Sequence, residues 1–210
     1  MLWSQIPIKE CGEPLVKARG ERIFWAPVYV ELGLEDALDD VWLRDEAARR
    51  LRLAAGMLPG GFSLVLWDGW RPVSVQRQLY ERYRGELESS GLEGNELDRE
   101  TLRYVSLPSE DPHCPSPHLT GGTIDLTLGD RDGNPLDMGG NFDELGERSG
   151  AFFYEGASSL FRERRRLLRG VMVQAGWSPY PEEWWHFDFG NQFHHARRGG
   201  VARYGPVSPF

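Results

Sequence analysis

The spacing of apolar and polar residues changes period several times along the chain, and each change predicts an element. From Leu34 to Met57 the apolar positions Leu34, Ala37, Leu38, Val41, Trp42, Ala48, Leu51 and Ala55 recur at three- and four-residue steps between Gly33 and Pro59, which predicts one amphipathic helix. After the turn "LPGGF", the apolar run Ser63 to Trp67 reads as a short strand that "DGWRP" stops, and a helix from about Pro72 to Tyr83 follows with proline in its first turn. Residues 86 to 117 are polar and rich in Gly, Ser, Pro and Glu, the composition of an irregular surface excursion. A strand is predicted from Thr123 to Gly129, then a hairpin turn at "DRDGN" and a return segment "PLDMG". A helix over about Ala157 to Ala175 ends at Gly176, and "EEWWHFDFG" closes the list as an aromatic strand entered after Pro179 and Pro181. Mixed helices and short strands without an internal repeat predict an α+β fold: a single domain over residues 1–210, with a small antiparallel central sheet flanked by helices.

One position breaks the apolar logic. In "SPHLTGGTIDLTL" the side chains of Thr123, Asp125 and Thr127 alternate with Ile124, Leu126 and Leu128, so a carboxylate shares a strand face with two hydroxyls. A half-buried carboxylate is costly unless it is paired, hydrogen-bonded or bound to a metal. Asp125 therefore needs a partner from elsewhere.

Composition narrows what that partner serves. The 210 residues are 40% hydrophobic and 12% aromatic, enough for a full core, and carry a formal net charge of −8. That balance argues against nucleic acid or an anionic membrane as partner and points to a small molecule or peptide. No basic start is followed by an apolar run, and no stretch approaches the roughly 18 apolar residues of a membrane span, so a soluble, cytoplasmic protein is expected. Cys11 and Cys114 are too few for a disulfide framework, which fits a reducing compartment.

Zinc accepts imidazole and carboxylate ligands, and a catalytic site supplies three of them and leaves the fourth position open. His118 and Asp125 could be two, with Gly121 and Gly122 letting the chain turn tightly between them. His186 in "EEWWHF" is the natural third, at the start of a strand and three residues after a carboxylate able to act as base. By spacing alone, a His–Asp pair beside a glycine turn is more often a structural hydrogen bond than a metal site. On a flat strand, moreover, residues three apart face opposite sides, so Glu183 must sit on a turn or bulge to reach the same point as His186.

Three motifs occurring in order carry a resemblance. "SPHLTGG-TID" is similar to S-x-H-x-x-G-x-[A]-x-D, "EEWWH" to E-x-W-H or E-W-W-H, and "WDGWRP" to D-G-[YW]-R-P, as in the D-alanyl-D-alanine dipeptidases. These are zinc peptidases related to the vancomycin-resistance dipeptidase and, more distantly, to cell-wall D,D-carboxypeptidases and the hedgehog fold. The resemblance runs from about Leu34 to Phe189 and implies one zinc per chain on His118, Asp125 and His186. It implies that Glu183 takes a proton from the attacking water and passes it to the leaving amine, and that Arg71 stabilises the oxyanion. It further implies that Asp143 in "NFDELGERS" holds the substrate ammonium and that Ser116 lies near the substrate's carboxyl end. For Asp143 a turn or helix-cap reading stands nearly level on sequence alone. The family usually has a small alanine where Thr123 stands, and its N-terminal Y-x-x-x-N-F element has no clear match in "ARGERIFWAPVYVELG".

The expected activity is zinc-dependent hydrolysis of a small dipeptide with a free amino end, foremost D-alanyl-D-alanine. The alternatives are a cell-wall D,D-carboxypeptidase or endopeptidase, and a zinc-stabilised binding module without catalysis, against which the presence of Glu183 and Arg71 counts. His113 and Cys114 read as loop residues, His194 and His195 as solvated, and "RERRRLLR" as the wet face of a helix.

Overall fold

The computed structural model describes residues 3–156 and 159–208. Its centre is a five-stranded sheet of β2 (Ile23–Trp25), β4 (Ser63–Asp68), β5 (Thr123–Gly129), β7 (Glu183–Asp188) and β6 (Ser178–Tyr180), in that spatial order. All neighbours are antiparallel except the edge strand β2, which runs parallel to β4. A two-stranded ribbon pairs β1 (Leu15–Lys17) with β3 (Trp42–Arg44). The helices are α1 (Val28–Glu31), α2 (Asp45–Met57), α3 (Val73–Ser89), α4 (Gly94–Tyr104), α5 (Leu160–Gln174) and α6 (Gln192–Arg198). The mixed α+β architecture matches the sequence reading. No helix among the described residues is long and apolar enough to cross a membrane.

The alternation read from β5 separates two faces. Leu64 and Leu66 lie opposite Leu128 and Leu126, and Ile124 lies opposite Phe187. All six are buried in the core cluster with Ala47, Leu51 and Ala55 of α2 and Leu168 and Met172 of α5. Truncating one such leucine to alanine costs roughly 2–5 kcal/mol. The other face of the same strands carries Thr123, Asp125, His186 and Asp188, and there the chemistry collects.

Several expectations are corrected. The predicted helix over 34–57 begins only at Asp45, because Trp42–Arg44 is a strand. Apolar steps of three and four around Val41 and Trp42 fit a helix, but Asp40 turns its Oδ1 onto the Val41 N–H (2.9 Å) and pairs with Lys17 and Arg19, an alternative that competes with helix geometry. Arg44 then needs the extended backbone: buried, it bonds Glu10, Glu13 O, Thr120 O and Gly205 O, tying four segments together. The stretch 86–117 is not wholly irregular, since α3 runs to Ser89 and α4 buries Leu97, Thr101 and Tyr104. The helix predicted from Ala157 runs Leu160–Gln174, capped by Ser159; residues 157 and 158 lie outside the described set. Its basic run is not uniformly wet: Arg165 is buried over Trp184, donating to Met138 O and Gly150 O. His194 is likewise buried, between Ser178 Oγ and Asp188 O at 3.1 Å each. The hairpin at "DRDGN" is present, with Leu136 N donating to Leu128 O.

Candidate active site

Two irregularities in the sheet build the site. Between Leu66 and Asp68 the β4–β5 register shifts by one residue, so Asp68 rather than Trp67 lies opposite Asp125, which in turn lies opposite His186. A bulge of this kind re-aims a side chain, and here it sets Asp68, Asp125 and His186 in one row across three strands. The second shift lies in the β6–β7 pairing, where Tyr180 meets Glu183 while Pro179 meets Phe187. That bulge answers the spacing problem posed by the sequence: Glu183 Oε2 stands 3.4 Å from His186 Nδ1.

His118 enters from a single 3-10 turn, His118–Thr120, that ends at Gly121 with φ +67°. A Cβ at Gly121 would meet Leu15 Cδ2 at 2.4 Å, and one at Gly122 would meet Phe189 O at 2.4 Å, so both positions require glycine. His118 Nδ1 bonds Gly69 O at 2.7 Å and lies 3.1 Å from Asp68 Oδ2, which turns Nε2 toward Asp125 Oδ2 at 3.3 Å. His186 Nδ1 approaches Asp125 Oδ1 at 3.1 Å. One ligand atom each from His118, Asp125 and His186 lie within 4.8 Å of one another, and all three residues are buried. Among the described residues, His118 Nε2 and Asp125 Oδ1 have no hydrogen-bond partner, which buried polar atoms seldom tolerate. A nitrogen–oxygen–nitrogen donor set with unpartnered atoms facing one point fits a three-ligand divalent cation site.

The surrounding charges are strongly perturbed. Burial pushes Glu183 up to about 8, with His186 opposing. Burial also works against an ionised Asp125, yet His118 and His186 outweigh it and hold its carboxyl below the usual range. His186 is raised because Asp188 and Asp125 overcome its burial. Arg71 is fixed by Gln76 Oε1 on Nε (2.9 Å) and by Asp68 Oδ2 (3.1 Å) and Tyr29 Oη (3.2 Å) on Nη1. Burial opposes its charge, but Tyr29 and the carboxylates Asp68 and Asp125 hold it cationic.

Asp143 also reaches the site. Its carboxylate accepts a 2.9 Å bond from Tyr29 Oη, and its backbone takes a left-handed φ of +56°. The side chain is open to water from the cavity, yet recessed among Tyr29, Arg71 and Phe142, and the recess together with Asp125 pushes it up to about 7. Ser116 stands beside the cavity instead of lining it. Its hydroxyl donates to Leu107 O at 2.9 Å and accepts from Ser109 N at 2.8 Å, pinning the segment after α4. The cavity itself has a volume of about 1110 Å³ and continues from the carboxylates along Leu79, Tyr83, Leu102 and Val105. Tyr29, Asp68 and Gln76 join the site only in the structure, through their contacts with Arg71 and His118. Asp68 was visible within "DGWRP", whereas Tyr29 and Gln76 carry no motif.

Residues 39–201 match the family described as peptidase M15, D-ala-D-ala dipeptidase. A D-alanyl-D-alanine dipeptidase of Synechocystis sp. is 30% identical over 234 residues, covering 96% of this chain and 95% of that one. The chain belongs to the D-ala-D-ala dipeptidase family. Another such dipeptidase, from Enterococcus faecalis, is 35% identical over 67% of this chain and 68% of its own. The solved structure of VanYB in complex with D-Alanine-D-Alanine shares 17% identity over 80% of this chain and 84% of that one, with a TM-score of 0.49. The family match spans Arg71, His118, Asp125, Asp143, Glu183 and His186, while Tyr29 lies ahead of it.

Proposed function

We propose that this member of the dipeptidase family hydrolyses a small dipeptide with a free amino end, D-alanyl-D-alanine foremost, with one zinc held by His118, Asp125 and His186. The observation that carries this reading is the convergence of those three donors beside Glu183 and Arg71. Zinc there supplies a Lewis acid that polarises the scissile carbonyl and acidifies water, and its charge favours the ionised form of Glu183. Glu183 takes the proton from the attacking water and delivers it to the amine as the C–N bond breaks. Arg71, immobilised by three partners, meets the carbonyl oxygen as negative charge develops there. Asp143, oriented by Tyr29, receives the substrate ammonium. Ser116 acts on the carboxyl end indirectly, by holding the wall from Leu107 to Ser109.

A cavity this long also favours a second reading, trimming of a longer peptide. Purified protein assayed on free and amino-blocked D,D- and L,D-dipeptides and on a pentapeptide ending in D-alanyl-D-alanine separates the two. Release of D-alanine from the free dipeptide, lost on chelation and restored by zinc, is expected. No cleavage of any free dipeptide refutes the proposal, and faster cleavage of the pentapeptide favours the second reading.

A further inference from the structure

Asp188 is fully buried on β7, two residues beyond His186 and opposite Thr123 of β5. Its Oδ1 accepts hydrogen bonds from Thr123 Oγ1 at 3.0 Å and Asn191 Nδ2 at 2.9 Å, and its Oδ2 pairs with Arg197 Nη1 at 3.2 Å. Asn191 Nδ2 also donates to Thr123 Oγ1 at 2.9 Å, closing a triangle of three buried side chains. Oδ1 of Asp188 stands 3.4 Å from His186 Nε2, a charge contact to an atom that makes no hydrogen bond among the described residues. Two buried hydroxyl and amide groups are thus spent on fixing one carboxylate, and that carboxylate faces the back of the His186 ring.

The front of the ring explains why. Nδ1 of His186 faces Asp125 Oδ1 at 3.1 Å and Glu183 Oε2 at 3.4 Å. A neutral imidazole carries one proton, and two carboxylates on one side draw it to that side. A proton on Nδ1 would block the only ring nitrogen aimed at the donor cluster. A carboxylate held behind Nε2 pulls the proton the other way and leaves the Nδ1 lone pair free.

We infer that Asp188 is a positioning residue for His186, setting its tautomer and ring orientation, and that Thr123 and Asn191 serve to hold Asp188 in that place. The inference rests on the reading of His118, Asp125 and His186 as metal ligands. It also gives the Thr123 hydroxyl a purpose, since both of its hydrogen bonds run into this triangle.

The test is zinc affinity of the full-length protein, measured by competition with a chromophoric chelator, together with the visible spectrum of the cobalt(II)-loaded protein. Asp188→Asn keeps the volume and removes the charge, and is expected to weaken zinc binding about 10- to 100-fold and to shift the cobalt bands. Asp188→Glu, which restores the charge, should recover part of the affinity. Thr123→Ala should weaken binding less, and Thr123→Ala combined with Asp188→Asn should bind no more weakly than Asp188→Asn alone, because both act through one contact. Unfolding midpoints of the metal-free proteins identify any variant lost through misfolding, and Thr123→Ala then decides in place of the Asp188 variants. Wild-type affinity and an unchanged cobalt spectrum in Asp188→Asn overturn the inference alone. A wild-type chain that takes up no zinc overturns both it and the metal-site reading.

Discussion

Acetylating the amino end of a good dipeptide substrate removes the positive charge that Asp143 is proposed to meet, and the structure sets the size of the effect. At about 4 Å and an effective dielectric of about 20, one ion pair is worth roughly 4 kcal/mol. Asp143 is open to the water of the cavity, so that value shrinks, and about 1–2 kcal/mol is left, a 5- to 30-fold loss in kcat/KM. The loss should vary with pH in a definite sense. The Asp143 carboxyl is pushed up to about 7 by its recess and by Asp125, so below pH 7 it is increasingly protonated and a charged substrate must first displace that proton. The acetylation penalty therefore grows as pH rises from about 5.5 through 7 and levels off near 8, where the substrate's own amine begins to lose its charge. Asp143→Asn is the partner variant, since asparagine tolerates the left-handed backbone at this position better than alanine does. Steady-state kinetics of free and acetylated substrate on both enzymes closes a double-substitution cycle in which general losses cancel. A penalty that is equal in the two enzymes would refute the assignment of Asp143 to the ammonium.

Four shorter predictions accompany it. Glu183→Gln should keep zinc, by metal analysis, and lower turnover by roughly two to four decades; near-normal turnover would remove Glu183 as base. Arg71→Lys, which loses the three-way fork to Gln76, Asp68 and Tyr29, should lower kcat about 10²-fold or more with little change in zinc content. Gly122→Ala drives a Cβ to 2.4 Å from Phe189 O and should cost about 2 kcal/mol or more in denaturant unfolding. Burial lowers His194 to about 4, below its unfolded value near 6.5, so the unfolded chain binds more protons between those pH values and stability falls on acidification through that window, by up to about 3 kcal/mol. His194→Gln should flatten that slope in pH-dependent unfolding.

The candidate site was more legible than the architecture. His118, Asp125, Glu183 and His186 sit in short motifs whose spacing survives any change in surrounding structure, and even the need for a bulge before His186 followed from strand geometry. The start of α2 was not legible, because Val41 and Trp42 satisfy a helical period as well as a strand until Lys17 and Arg19 are seen to claim Asp40. The α4 helix was not legible because Gly94–Tyr104 lies inside a polar stretch rich in Gly, Ser, Pro and Glu, whose composition reads as loop although Leu97, Thr101 and Tyr104 share a buried face. Asp68 gained its place in the site only through a one-residue register shift, and Tyr29 through a four-residue helix that places its hydroxyl between Arg71 and Asp143. Neither event leaves a trace in composition or periodicity.

The row Asp68–Asp125–His186 has a consequence for how the chain acquires its site. Its members are separated by 57 residues (125 − 68) and 61 residues (186 − 125), so every contact in the row closes a long loop. Such contacts form late, after much of the loop entropy has been surrendered. Local helices such as α2 and α3 can form while the donor cluster does not yet exist, and chains halted there show the helical far-ultraviolet circular dichroism signal yet have no site. Capture of a metal during refolding would then report the pairing of β5 with β7, and its rate, set against the rate of helix recovery, would time the last stage of the fold.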